Sequence, residues 1–213
     1  MTSGVQLIQF AKWPQRGRVK TRLASALGDE GALDAHIRLT LTVMERLVQS
    51  GLPVTLAWDR AMKEPPAEAE PILKAMAASR VAQSTQQGAD LGERMTRALA
   101  SRLLETDIAM VVGSDCPSVD AAYIEQARQA LRQADVVFGP SDDGGYVLIA
   151  ARRTQPEMLQ GVAWGSEDAL EQSVAAVRNA GLGVATLSPL WDVDELADWD
   201  RFLKEFGQSS TGG

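Results

Sequence analysis

Short, mostly apolar and often β-branched runs punctuate this chain at intervals that are filled by helix-period patterns. That alternation limits the possible folds more than any other feature of the sequence. The runs are Val5–Ala11, Pro53–Trp58, Ile108–Val112, Asp135–Gly139, Tyr146–Ala151 and Gly183–Leu187, and they read as strands covered on both faces. Between them Leu33, Ile37, Leu41, Met44 and Val48 recur at helical spacing, as do Leu91, Met95, Leu99 and Leu103, and again Ile124, Ala127 and Leu131. Ser166 followed by Glu167 and Asp168 reads as a helix start, and Asp194 to Phe206 reads as a last helix. The pattern predicts a single-domain α/β fold, a three-layer α/β/α sandwich around a mixed, mostly parallel sheet. The mixing follows from Gly139–Tyr146, which leaves no room for a helix between two strands. The domain spans residues 1–206, and residues 207–213, rich in Gly, Ser and Thr, read as a flexible tail. The Pro-rich stretch Glu64–Ala67 reads as a surface connection within that domain.

In a sheet of this kind ligands collect beyond the carboxyl ends of the strands, so the chemistry is expected in the loops. The first loop carries Lys12, Arg16, Arg18, Lys20 and Arg22 with no intervening acid, in a protein of net charge −7. Arginines and lysines beside Gly17 are suited to neutralising phosphate, although a solvated charge run is the alternative. The spacing matches neither a Walker A loop nor a dinucleotide fingerprint. A pI near 4.8 argues against a nucleic-acid partner. No apolar run approaches the ~20 residues that span a bilayer. The N-terminus lacks a signal-peptide pattern. The lone cysteine, Cys116, excludes an internal disulfide framework, and a cytoplasmic protein is expected.

Asp115, in Gly113-Ser114-Asp115-Cys116-Pro117, follows directly on an apolar run, where a carboxylate can hold a hard cation or simply cap a turn. Asp192 and Asp194, in Trp191-Asp192-Val193-Asp194, could complete a metal site with it, and Asp194 could equally cap the last helix. Asp142-Asp143-Gly144-Gly145-Tyr146 forms an acidic, glycine-rich rim longer than a simple hairpin turn needs. Asp90, in Gln87-Gly88-Ala89-Asp90, is best explained as a helix cap. Cys116 reads as a buried filler and His36, the one histidine, as structural or exposed.

Taken in order, Phe-Ala-Lys-x-Pro-x-x-Gly-x-Val-Lys-Thr-Arg-Leu, Gln-x-Gly-x-Asp-Leu-Gly-Glu-Arg-Met, Gly-Ser-Asp-Cys-Pro, Gly-Pro-x-x-Asp-Gly-Gly-Tyr and Asp-Val-Asp resemble the family of unknown function 2064 over residues 5–203. That family is usually labelled glycosyltransferase of the GT-A, nucleotide-diphospho-sugar transferase fold, which is Rossmann-like. A weaker similarity links the chain to phospholactate and molybdenum cofactor guanylyltransferases. The resemblance implies that Lys12, Arg18, Lys20 and Arg22 contact nucleotide phosphates and that Gln87, Gly88 and Asp90 border the base or ribose. Asp115 and Asp194 would hold a divalent metal, Mg²⁺ or Mn²⁺. Asp142, Asp143, Gly144, Gly145 and Tyr146 would face the acceptor or sugar, with Asp115, Asp142 and Asp143 as catalytic residues. The sequence departs from the family pattern after Asp194, where Glu195-Leu196-Ala197-Asp198 replaces Thr-Pro-Glu-Asp.

The implied activity is metal-dependent glycosyl transfer from a nucleoside-diphosphate sugar to a small-molecule acceptor. The alternative is nucleotidyl transfer from a nucleoside triphosphate with release of pyrophosphate, which five cations and the lack of a second Asp beside Asp115 would suit. A non-catalytic nucleotide-binding module is the third reading.

Overall fold

The seven strands of the computed structural model, which describes residues 4–207, form one sheet in the order β3-β2-β1-β4-β6-β5-β7. In chain order they are β1 (Val5–Ala11), β2 (Val54–Trp58), β3 (Ala82–Thr85), β4 (Ile108–Val112), β5 (Val136–Pro140), β6 (Tyr146–Ala151) and β7 (Val184–Thr186). The helices are α1 (Thr21–Gln49), α2 (Glu70–Ser79), α3 (Leu91–Leu103), α4 (Ala121–Ala130), α5 (Ala169–Asn179) and α6 (Leu196–Phe206). All neighbouring strands pair in parallel except β6, which runs antiparallel to both β4 and β5. The single reversal occurs where the sequence leaves no room for a crossover helix. It brings the start of β6 to the edge at which the parallel strands end.

Alternate side chains of each strand enter different cores, as period-2 geometry requires. Leu7, Leu56, Met110 and Val137 pack under α1, α2 and α4, where they meet Val43, Leu47, Ile72 and Ile124. Their neighbours Ile8, Ala57, Val111, Val136 and Phe138 pack on the opposite face against Met95 and Leu99 of α3 and Val177 of α5. The three-layer sandwich is thereby met. A third cluster adds a helix pair outside it, with Trp199 and Phe202 of α6 against Leu23, Ala32, Ala35 and Leu39 of α1. Among the described residues no helix is long and apolar enough to cross a membrane.

Several local expectations change. Of the stripe read for α1, Met44 is buried but Leu33, Ile37, Leu41 and Val48 are only partly so, and the other buried positions are Leu23, Ala32, Ala35, His36, Leu39, Thr40, Val43 and Leu47. Ala32, Ala35 and His36 take the part of that face that meets α6 and the first loop, and Val43, Met44 and Leu47 the part that meets the main core. Helix α1 also begins at Thr21, directly after the basic loop, and is interrupted at Gly28 (φ 70°). Strand β3 has no apolar run because it is an edge strand, with Ala82 and Gln83 exposed. Ser166 starts no helix. Its hydroxyl closes a turn on the Ala163 carbonyl (2.8 Å), and α5 begins at Ala169. Of the proposed tail, only Gly207 lies within the described residues.

Candidate functional site

The ends of β1, β2, β3 and β4 and the beginning of β6 open on one cavity of about 620 Å³. Its lining runs from Asp59 and Gln86 on one side, through Lys12, Lys20, His36, Asp115, Asp192 and Asp194, to Asp143 and Tyr146 on the other.

The basic loop is anchored before it reaches the cavity. Trp13 turns into the core and stacks on Trp58, with ring centroids 3.8 Å apart. Its backbone N–H donates to Asp59 (2.9 Å) and its indole N–H to the Arg60 carbonyl (2.8 Å). His36 is buried, and its Nε2 lies 3.0 Å from the Lys12 carbonyl. A carbonyl can only accept, so this nitrogen carries the proton. Burial depresses the His36 pKa, leaving a neutral ring that ties the loop to α1. His36 is thus structural and not exposed.

The loop ends at Lys20, which adopts left-handed backbone angles (φ 45°, ψ 46°) and precedes the first turn of α1. A non-glycine residue held in this region carries about 1–2 kcal/mol of strain and is commonly found where a side chain must be aimed. Here the Lys20 ammonium is aimed at Asp194 (3.1 Å), Asp115 (3.4 Å) and the Val193 carbonyl (2.5 Å). Arg22 reaches the other oxygen of Asp194 at 3.2 Å. Lys12, Lys20 and Arg22 therefore line the cavity. Arg18 is exposed outside the lining, and Arg16 pairs with Glu30 at the surface (2.5 Å). Fewer of the loop's cations reach the site than the sequence count implied.

Asp115 leaves β4 through Gly113 and Ser114. The Ser114 hydroxyl donates to the Phe10 carbonyl (2.7 Å) and accepts from Gln9 (3.0 Å), locking β4 to β1 at this point. The backbone carbonyl of Asp115 accepts from Val193 N–H (2.9 Å), drawing the Trp191–Asp194 segment across the strand ends. Asp115, Asp192 and Asp194 each present a carboxylate oxygen, and these lie within 4.8 Å of one another.

Electrostatics follow from that crowding. Burial opposes charge on Lys20, yet the neighbouring Asp115 and Asp194 hold its ammonium above the ordinary lysine value. Burial would also neutralise Asp115, but Lys20 and backbone hydrogen bonding keep its carboxyl below the usual range. Asp192 is pushed up to about 7 by burial and by Asp115, Asp143 and Asp194. The Lys20 ammonium and the Arg22 guanidinium, which reaches Asp194 alone, do not balance three carboxylates. An all-oxygen donor set with surplus negative charge fits a hard divalent cation such as Mg²⁺ or Mn²⁺.

Asp194 is not the cap of α6. Glu195 holds that position, and the Asp198 carboxylate accepts the backbone N–H groups of Glu195 (2.9 Å) and Asp194 (3.2 Å). The altered helix start thus still anchors Asp194.

Gln87, Gly88 and Asp90 lie outside the main cavity's lining. Asp90 caps α3, accepting from Glu93 N–H at 2.8 Å. Gly88 packs against the start of the same helix and accepts from the Arg94 guanidinium (3.2 Å). Gln87 lines a separate cavity of about 220 Å³ beside α3. From this segment Gln86 and Arg94 reach the site instead. Arg94 stood in the quoted motif without a role, and its motif position was the available signal.

The Asp142–Tyr146 loop bridges the main cavity and an adjoining one of about 670 Å³. Asp143, Gly145 and Tyr146 face both, whereas Asp142 and Gly144 face only the second. Asp143 Oδ1 accepts from the Ser141 hydroxyl and from Gly145 N–H (3.0 Å), so its hydrogen bonds fall on one oxygen. Tyr146 packs edge-on against Phe138 and Trp164, with centroids 4.8 and 6.3 Å away. Trp164 was not singled out in the sequence.

Cys116 is buried, its thiol donating to the Trp191 carbonyl (3.2 Å), and burial pushes its pKa up to about 12. Because the thiolate is the reactive form, iodoacetamide at pH 7.5 is expected to leave Cys116 unmodified in the native protein and to label it in denaturant. Mass spectrometry reads the outcome, and rapid native labelling would contradict the packing described.

Comparison with known proteins agrees with this fold. The model of a family described as uncharacterized protein conserved in bacteria, DUF2064, matches residues 40–166, more than half of the chain. A structure from Desulfovibrio desulfuricans G20, described as a candidate nucleotide-diphospho-sugar transferase, is 28% identical with a TM-score of 0.82, covering 99% of this chain and 90% of that one. A nucleotidyl transferase from Methanothermobacter thermautotroptrophicus is 17% identical with a TM-score of 0.60, covering 97% and 98%. Rv0371c from Mycobacterium tuberculosis H37Rv, solved in complex with manganese, is 14% identical with a TM-score of 0.53, covering 96% and 100%. The last two likenesses concern the fold alone. No curated protein matches the sequence significantly.

Proposed function

Since the chain belongs to the bacterial DUF2064 family, we propose that it is a divalent-metal-dependent transferase that moves a glycosyl group from a nucleoside-diphosphate sugar to a small-molecule acceptor. The observation that carries this reading is the meeting of Asp115, Asp192 and Asp194 around Lys20 at the floor of a cavity that continues into a second one. Asp115 and Asp194, with Asp192 beside them, would hold Mg²⁺ or Mn²⁺. The metal would supply charge neutralisation for the departing diphosphate.

The remaining roles belong to the chain itself. Lys12 and Arg94 line the cavity without a carboxylate partner among the described residues, so they are free to meet phosphate oxygens. Lys20 and Arg22 are already engaged by Asp194. Two free cations plus a divalent metal suit a diphosphate. Asp143 stands where the two cavities join, with its hydrogen bonds on one oxygen only. Its other oxygen is available to take the proton of an attacking acceptor hydroxyl. A cytoplasmic location, where nucleotide-activated donors are available, accords with this role.

Nucleotidyl transfer is a second reading, favoured by Lys20. Its buried, strained placement puts a fixed cation at the centre of the cavity, where an attacked α-phosphate would need one. Incubation with Mg²⁺ and each nucleoside-diphosphate sugar, and separately with each nucleoside triphosphate, distinguishes the two. Nucleoside diphosphate release is expected in the first series and no pyrophosphate in the second. Pyrophosphate release as the dominant activity would replace the first reading with the second, and tight nucleotide binding with neither product would indicate a binding module.

A further inference from the structure

The second cavity has a chemistry of its own. Segment Trp164–Glu167 and the Asp142–Gly145 loop form its walls, and Leu91, Met95 and Tyr146 close the side shared with the nucleotide cavity. The walls are fastened together: Leu170 N–H donates to the Gly144 carbonyl (3.0 Å), and Gly144 packs so closely on the Glu167 carbonyl that a Cβ there would lie 2.0 Å from it.

Part of the cavity lining is apolar. Leu91 is 42% exposed although it is a large aliphatic residue, and Trp164 stands edge-on to Tyr146 with its ring partly exposed. The lining also carries Asp142 and Asp143 on the Asp142–Gly145 loop and Glu167 three residues after Trp164. The only cation lining the cavity among the described residues is Arg22, already bonded to Asp194. Carboxylates accept hydrogen bonds and repel anions. A partly exposed aromatic side chain among hydrogen-bond acceptors suits a ring with an apolar face and a hydroxylated edge.

We propose that this cavity is the acceptor subsite and that it selects a non-anionic, hydroxyl-bearing ring, neutral or amine-substituted. It excludes phosphorylated or carboxylated acceptors. Trp164 is the platform for the ring, and Asp142 and Glu167 are the charge filter. The inference rests on the transferase reading above for the word acceptor, while the ligand preference of the cavity can be measured without turnover.

The test uses saturation-transfer NMR on the full chain with methyl β-glucoside, glucosamine and glucose 6-phosphate. Each is measured with Mg²⁺ and a saturating nucleoside diphosphate, so that phosphate cannot report on the nucleotide cavity. Methyl glucoside and glucosamine are expected to bind, with glucose 6-phosphate weaker by roughly tenfold, as like-charge repulsion near the carboxylates implies. Trp164→Ala should abolish the ring signals while leaving nucleotide affinity unchanged by calorimetry. Asp142→Asn combined with Glu167→Gln should bring glucose 6-phosphate to within about threefold of methyl glucoside. Equal or preferred binding of the phosphate by the unaltered protein, no binding of any of the three rings, or an unchanged preference in the double variant would overturn the proposal. Failure of every nucleotide to bind would count against the transferase reading instead, and the methyl glucoside signal of the unaltered protein against Trp164→Ala, which involves no phosphate, would still decide this one.

Discussion

Replacing Asp115 with asparagine is expected to lower metal-dependent turnover by about a hundredfold to a thousandfold, the range seen when one fixed electrostatic contact to a transition state is lost. The fold should survive. Lys20 keeps Asp194 at 3.1 Å and the Val193 carbonyl at 2.5 Å, and the backbone hydrogen bond from Val193 to the carbonyl of residue 115 does not depend on the side chain. Asparagine is also nearly isosteric, so no void is opened. The substitution removes one of the charges that raise Asp192, whose pKa should therefore fall from about 7 towards the ordinary carboxyl value. Circular dichroism, thermal melting and a product-release assay on the same preparation separate loss of function from loss of structure. Turnover equal to that of the unaltered protein would remove Asp115 from the metal site.

Gly144→Ala should be the most damaging Gly→Ala substitution among the described glycines. Its φ of +86° is left-handed, and a Cβ would stand 2.0 Å from the backbone carbonyl oxygen of Glu167, which has no rotamer by which to move away. Strain of about 1–2 kcal/mol for the backbone angle and about 1–3 kcal/mol for overpacking combine to roughly 2–5 kcal/mol. At about 2–4 °C per kcal/mol for a chain of this size, the melting temperature should drop by roughly 4–20 °C. Gly165→Ala provides the control, because its φ of +82° is similar but no atom lies within 4 Å of its Cβ position. It should carry the backbone strain alone, about 1–2 kcal/mol. Equal melting temperatures for the two variants would mean that the Gly144–Glu167 contact does not hold the walls of the second cavity together.

The sheet was legible in the sequence wherever a strand is covered on both faces, since burial on two sides leaves a continuous apolar run. Strand β3 escaped for the opposite reason: at the sheet edge its residues face solvent and carry no such run. On α1 large aliphatic residues mark only part of the buried face, at Leu39, Val43, Met44 and Leu47, because Ala32, Ala35 and His36 fill the part that α6 and the first loop approach.

The same distinction holds at the site. Strand-end position marked Asp115, and the ordered motifs carried Asp192 and Asp194, but no local pattern shows that residues so distant in sequence converge. That depends on the Val193–Asp115 backbone bond, a tertiary event. Nor does charge counting show direction. Lys20 is turned inward by its left-handed backbone, while Arg16 and Arg18, in the same loop, remain at the surface. Trp164 lay in a segment read as leading into a helix, and only the Tyr146 contact reveals it as part of a wall.

On the proposed function, Asp115, Asp192 and Asp194 act together on a metal-bound nucleotide. A crystal of the protein grown with Mn²⁺ and a nucleoside diphosphate, with data collected at the manganese absorption edge, tests this directly. The predicted result is one anomalous peak within about 2.0–2.4 Å of oxygens from Asp115 and from Asp194 or Asp192, with diphosphate density between that peak and Lys12 and Arg94. A nucleotide seated in the cavity with no anomalous peak among these carboxylates, or a peak elsewhere in the molecule, would contradict it.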